Sequence, residues 1–222
     1  LDETAAAAPL TAYAESKWRM EEALRPLSGA DLEVVFARPG TVFGPSPRMR
    51  FDLVLNHLVT LAVHTGRVQF LSNGQAWRPL LHVGDLARAL RFLLDAPAAI
   101  VAGRAFNVGF NALNLQIHQL VDAFREAMPQ AEVDFDPRAA EDARSYRVDC
   151  SRLAGHWQPA GGPIGIVEGI AELAGLARRH PLPGLSLDAL RRQRADHLLR
   201  LRHRGLVDTH WRRRDLSPGA AG

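Results

Sequence analysis

Lysine is nearly absent from this chain. Among its 27 basic residues only Lys17 is a lysine, and every other one is arginine. Cysteine is down to one, Cys150, and tyrosine to two, Tyr13 and Tyr146. A lone cysteine excludes an internal disulfide. With no Cys or His cluster around it, no metal site is expected, and a reducing compartment, by default the cytoplasm, is the expected setting. No apolar run approaches the length that crosses a bilayer, so no membrane partner is expected, and no signal-peptide pattern opens the chain. Also missing are internal repeats, low-complexity tracts, a serine-centred nucleophile elbow, a Walker loop and any glycine fingerprint of the G-x-x-G-x-x-G type. Their absence removes solenoids, serine hydrolases and P-loop nucleotide enzymes from consideration.

What is present suits a globular α/β protein. Hydrophobic residues make up 47% of the 222 and charged residues 23%, enough to build a buried core. The net charge of +3 hides an asymmetry, because residues 178–214 carry 11 arginines against 3 acids and leave the remainder at −5. Within that stretch Leu187 to Arg204 reads as a basic amphipathic helix. Such a helix either lies on an acidic partner or docks its leucines and leaves its arginines solvated. The second use is favoured, and nucleic acid disfavoured, because no aromatics are interleaved for base stacking. Leu1-Asp2-Glu3-Thr4 and the four alanines after them read as the middle of a loop, so the chain is expected to be a portion of a longer one.

The pattern with most chemical content is Tyr13-Ala14-Glu15-Ser16-Lys17, at the head of a helical stretch reaching about Leu27. Residues four apart share a helix face, which puts the Tyr13 phenol and the Lys17 ammonium in one space. A fixed cation beside a phenol favours the phenolate, and a phenol so placed can act as a general base. Tyr and Lys at this spacing also occur on ordinary helices. Scarcity tips the balance, since arginine cannot replace a compact, tunable ammonium. Leu32 to Ala37 then reads as a buried strand, making a helix–strand unit of a parallel sheet whose ligands lie beyond the strand carboxyl ends. Arg38-Pro39-Gly40-Thr41-Val42-Phe43-Gly44-Pro45 follows as a rigid loop, either an ordinary turn or a close approach of backbone to ligand.

Farther on, an amphipathic helix is expected over Phe51 to Thr65, interrupted by Asn56, and a strand over Arg67 to Leu71. Trp77-Arg78-Pro79-Leu80-Leu81-His82-Val83 reads as a strand entering a helix at Gly84-Asp85. Arg78 is either solvated and ion-paired or aimed at an anionic ligand. Ala105 to Gly109 is a further strand, Asn114 is a candidate cap for the helix running to Met128, and Ala131 to Phe135 is another strand. Short helices are expected at Ser151–His156 and Ile164–Arg179. The charges around Asp142 to Asp149 read first as a surface network.

In their order, YAESK, ARPGTVFGPSPRMRFDLVLN, WRPLLHVGDLARAL, FNVG and DARSYRVD resemble the later part of the extended short-chain dehydrogenase/reductases, the NAD-dependent epimerase/dehydratases of nucleotide sugars. The resemblance covers residues 1 to about 180. It implies an α/β fold, an incomplete Rossmann-like doubly wound parallel sheet with its N-terminal half missing and a smaller α/β substrate-binding subdomain. Residues 1–44 would be the end of the NAD-binding domain, 45–180 the substrate-binding subdomain interleaved with remaining Rossmann elements, and 181–222 a basic helical tail. It further implies NAD (or NADP) as cofactor, a nucleotide-sugar substrate, and a homodimer packed on the Tyr13 helix, for which Trp18 and Met20 would serve equally well as core residues.

By the same resemblance Tyr13 is the base and Lys17 its partner, also reaching the nicotinamide ribose. Arg38, Pro39, Gly40, Thr41 and Val42 would seat the nicotinamide carboxamide, partly through backbone groups. Arg78 and Arg144 would clamp the substrate diphosphate, Asn56 would face the substrate, and His82 and Asp85 would hold the Arg78 loop. The glycine turn and the catalytic Ser or Thr of relatives lie upstream of this motif. These 222 residues alone are therefore expected to bind NAD poorly, to be inactive, and to leave an open apolar edge beside Leu32–Ala37. The alternatives are a non-catalytic remnant with at most nucleotide-sugar or protein binding, and a nucleic-acid-binding tail.

Overall fold

The structure is a computed structural model that describes residues 1–29, 31–47, 49–70, 73–135, 145–180 and 196–209. The first helix, α1 (Ala12–Leu24), starts where the Thr11 side chain accepts the Ala14 N–H at 3.1 Å, and passes into a 3-10 turn at Arg25-Pro26-Leu27. Strands β1 (Phe36–Pro39) and β2 (Thr41–Phe43) follow, then α2 (Val54–Thr65), β3 (Arg67–Phe70), β4 (Trp77–His82), α3 (Val83–Asp95), α4 (Ala98–Val101) and β5 (Ala105–Val108). The described order ends with β6 (Asn114–Gln116), α5 (Ile117–Ala127), β7 (Glu132–Phe135), α6 (Ser151–Ala154), α7 (Ile166–Arg179) and a helical turn at 196–203.

Three small sheets carry the strands. β1 pairs in parallel with β5, in the register Phe36 to Ala105 through Pro39 to Val108. β2 runs parallel to β4, whose other edge takes β6 antiparallel. β3 and β7 form a separate parallel pair. Consecutive strands thus serve different sheets, and the handover falls on Gly40. Its N–H still donates to Val108 O at 3.0 Å, while a Cβ there would stand only 2.8 Å from Pro79 O. Glycine lets the backbone pass Pro79 and exchange β5 for β4 as partner.

Several expected boundaries move for identifiable reasons. The strand expected over Leu32–Ala37 begins instead at Phe36, because β5 offers only four residues; upstream, Val34 O takes the Gly103 N–H at 2.7 Å and no ladder forms. The segment Arg38–Pro45 is strand as far as Phe43, since β5 and β4 in turn supply its backbone partners. Helix α2 starts at Val54, not Phe51, for Leu53 is still extended and the helix closes at Gly66 with φ +72°. Asn114 does not cap α5. Its amide is bonded to the Val148 backbone in both directions, at 2.8 and 2.9 Å, and the helix is capped by reciprocal bonds of Gln116 and Gln119.

Two apolar cores result. One gathers Leu55, Val59, Val68, Leu120, Phe124, Ile170 and Leu173 between α2, α5, α7 and β3. The other packs Leu81, Ala89, Leu93, Phe106 and Val108 between α3, β4 and β5. Burying each such side chain contributes about 1.5–3 kcal/mol. Helix α1 joins neither, having no buried residue, and among the described residues β1 has β5 as its only strand partner. No described helix is long and apolar enough to cross a membrane.

The fit of α7 against the sheet is testable at two of its glycines. A Cβ on Gly169 would lie 2.4 Å from the ring of fully buried Phe43, whereas one on Gly175 meets only the flexible tip of Arg179 at 3.4 Å. Gly169→Ala should cost about 1–3 kcal/mol despite its helix propensity, and Gly175→Ala should add up to about 1 kcal/mol, both read from urea midpoints.

Candidate active site

Helix α1 carries Tyr13 and Lys17 on one exposed face. Lys17 Nζ stands 5.6 Å from the Tyr13 ring centroid, and Tyr13 is 72% exposed. Neither the phenol oxygen nor the ammonium has a hydrogen bond or ion pair among the described residues, so both are available to a bound molecule. Trp18 and Met20 are also exposed, which removes core packing as their role in this chain.

Arg38 is engaged with other parts of the chain. Its guanidinium forks onto Glu21 of α1, with Nε 2.9 Å from Oε1 and Nη2 2.6 Å from Oε2, and its Nη1 donates to Glu3 O at 3.2 Å. Within residues 38–42, Pro39 is exposed and Thr41 and Val42 are partly exposed. Asn56 is buried, and its amide ties two loops together. Its Oδ1 accepts the Gly44 N–H and its Nδ2 donates to Arg50 O, each at 3.1 Å. As placed, that side chain shapes the loop ahead of α2.

Arg78 lies on β4 next to Pro79, the residue that Gly40 passes. Its Nη1 donates to Trp77 O at 2.7 Å, and it has further partners. Residues 145–149 run alongside this end of β4, because the Trp77 N–H donates to Ser145 Oγ at 3.0 Å and the Tyr146 N–H to Trp77 O at 3.3 Å. Arg147 caps the Trp77 ring at 4.6 Å. Arg144, expected as the second diphosphate ligand, lies outside the described residues, but its neighbour Ser145 sits beside Trp77. Arg147, Asp149, Asn111, Asn114 and Ser151 line a polar cavity of about 380 Å³. Hydrogen bonds from Ser151 and Asn111 hold the Asp149 carboxyl below the usual range.

His82 and Asp85 act at the β4–α3 junction. His82 is buried edge-on against Phe43, its Nδ1 accepts the Gly84 N–H at 3.2 Å, and its Nε2 lies 3.0 Å from a Glu172 oxygen, off the line of a good hydrogen bond. Asp85 is wholly buried and accepts the Ile164 N–H at 2.9 Å, with Arg88 as its ion partner. Both secure the strand that bears Arg78. Among the described residues no group of acids, histidines and cysteine could hold a metal.

Residues 1–109 match the model of the NAD dependent epimerase/dehydratase family. The matched stretch carries the Tyr13–Lys17 motif and covers just under half of the chain. Its fold is that of solved extended short-chain dehydrogenase/reductases. An NAD-dependent NDP-hexosamine 5,6-dehydratase of tunicamycin biosynthesis is 22% identical with a TM-score of 0.65, over 84% of this chain and 58% of that one. The UDP-glucose 4-epimerase of Thermotoga maritima, solved with UDP-glucose, is 20% identical with a TM-score of 0.66, over 81% and 57%. MoeE5, solved with UDP-glucuronic acid and NAD, is 22% identical with a TM-score of 0.65, over 81% and 59%. The chain thus spans under three fifths of the length of these solved proteins, and the partial parallel sheet agrees with that share.

Glu3 and Glu21 had no signal in periodicity or motif, and Asn107 had one only as part of FNVG, yet the structure gathers them around Arg38. Cys150 is buried within reach of the Glu3 charge. Burial first, then the carboxylates of Glu3 and Asp149, push its thiol from 9.0 up to about 12. In the unfolded chain the thiol ionises near its ordinary value while the native one stays protonated. The linked stability is therefore complete below pH 9.0 and lost as pH rises toward about 12. Urea midpoints should fall across that window, less so for Cys150→Ala, and the native thiol should resist aromatic disulfide reagents at pH 8.

Proposed function

We propose that this chain supplies the Tyr/Lys centre and the substrate-side subdomain of an NAD-dependent epimerase or dehydratase of nucleotide sugars. The observation that carries the reading is the free Tyr13–Lys17 pair on α1, within a segment that matches the family model. Solved relatives whose fold it shares include a UDP-glucose 4-epimerase with UDP-glucose and MoeE5 with UDP-glucuronic acid and NAD.

The residues fit the nicotinamide end of the cofactor. Lys17 has an uncommitted ammonium for a ribose hydroxyl, Tyr13 has an uncommitted phenol, and the strand pair around Gly40 offers backbone groups near both cores. The dinucleotide, when bound, supplies the hydride acceptor. Tyr13 would take the proton of the sugar hydroxyl as the carbon beside it is oxidised, with the Lys17 ammonium on the same helix face. Arg78, and Arg144 from the neighbouring segment, would hold the diphosphate, a task suited to planar, permanently charged forks. Asn56 would serve the substrate by holding the 44–50 loop, and the bare outer face of α1, with Trp18 and Met20, would take a second copy of the chain. Residues 1–44 would complete the cofactor domain, 45–180 would form the substrate part, and the reaction would run in the cytoplasm.

The opposite end of the cofactor has no place here. The 222 residues contain no glycine-rich strand–helix turn to receive a pyrophosphate. The single strand partner of β1 favours a second reading of these residues taken alone, a non-catalytic piece retaining at most substrate or protein binding. Titration calorimetry should show no NAD binding in the micromolar range by this exact chain; a micromolar dissociation constant would refute the missing-turn reading. When these residues are joined to a glycine-turn domain, Tyr13→Phe should lower kcat by about 10²-fold or more with a smaller change in KM. Unchanged kcat would remove Tyr13 from the reaction.

A further inference from the structure

Helix α1 bears the reacting pair but buries nothing, so its placement must come from something other than a hydrophobic face. At 13 residues it is also too short to persist by itself in water. Its attachments are few. Arg25 donates to Gly103 O at 3.3 Å and lies 5.0 Å from the Phe36 ring centroid. The remainder pass through one rung of the β1–β5 ladder, on which Arg38 stands opposite Asn107.

That rung grips the chain on both sides of Tyr13. Behind it, Arg38 forks onto the Glu21 carboxylate with two bonds of 2.9 and 2.6 Å. Ahead of it, Arg38 Nη1 takes Glu3 O at 3.2 Å, and the Asn107 N–H takes Glu3 Oε1 at 2.7 Å. The Glu3 side chain is 3% exposed, with Arg152 Nε 3.5 Å from its other oxygen. A carboxylate so far from water must keep its donors, because leaving a buried charge unpaired is costly. Residues 3 to 21 therefore form a loop whose far end is held by Arg38 and whose near end is held by Arg38 and the Asn107 backbone N–H, with Tyr13 and Lys17 inside it.

We propose that Arg38 and Asn107 are the positioning residues of the Tyr13–Lys17 pair, closing the 3–21 loop on the carboxyl ends of β1 and β5. The guanidinium of Arg38 is spent on that clamp and does not touch the cofactor. The functional meaning rests on the reading that Tyr13 and Lys17 react; the clamp itself is measurable without turnover.

The test uses the full 222-residue chain. Lys17 is its only lysine, so reductive ¹³C-dimethylation labels that side chain and the terminal amine alone, and the Lys17 resonance reports its place over the Tyr13 ring. Arg38→Gln should speed amide exchange in residues 12–24 by about tenfold or more and move the Lys17 signal toward its position in the denatured chain. Exchange in α2, α5 and α7 should stay as it was. Glu21→Gln, which leaves Arg38 and its bond to Glu3 O in place, should act in the same direction to a smaller extent, and Arg38→Lys should recover part of the protection. Unchanged α1 exchange and an unmoved Lys17 signal in Arg38→Gln and Glu21→Gln would overturn the proposal. So would protection lost to the same degree in every helix of Glu21→Gln. A failure of the reaction assigned to Tyr13 would appear separately, in the kcat of Tyr13→Phe.

Discussion

The architecture turns on one steric constraint, the close approach of the Gly40 backbone to Pro79 O. A side chain at position 40 would push the β1–β2 segment away from β4, and with it the join between the α3 core and the helical core of α2, α5 and α7. Because nothing larger than hydrogen points at Pro79, one extended segment can satisfy its backbone from β5 first and from β4 next. Arg38 lies just before that handover and Arg78 just before Pro79. The contact therefore brings the residues that hold α1 to within a strand of those expected on the substrate.

The same economy runs through the polar groups. Asn56, Asn107 and Asn114 are all buried, and each spends its amide on backbone groups, Asn56 on the loop ahead of its own helix and the other two on residues 148 and 149. Side-chain amides suit this task, since one group can donate and accept together and so stand in for a missing rung of sheet. Asn114 does so literally, exchanging two bonds with Val148 as a strand neighbour would. The outcome is that residues 145–149 lie along β4 without forming a strand.

Helix α1 stands apart from this packing. Its residues are polar or exposed, its attachment is electrostatic, and its outer face is bare. Ion-paired attachment gives placement without a large buried area, and it weakens with salt where the pair is open to water. A catalytic helix held in this way depends on a few directed bonds, in contrast to α7, whose Gly169 packs onto the Phe43 ring.

Much of the element order could be read from the residues, because helix and strand periods are local properties written within a few positions of each other. The Tyr/Lys spacing, the apolar face of α2 and the succession of β4 and α3 were legible in that way, with the helix expected from Gly84 and found from Val83. Partner choice was not. Arg38 finds Glu21 17 residues away, and the Asn107 N–H finds Glu3 104 residues away. The sequence by itself determined the residue types, the single lysine placed four after a tyrosine, and the lack of a glycine turn. Only the tertiary structure decided that Gly40 is a crossing point, that Asn114 is a tie and not a cap, and that Arg38 is bound to the helix it serves. The physical reason is that a side chain's role follows from the donors and acceptors that folding brings within about 3 Å, and their distance along the chain leaves no local trace.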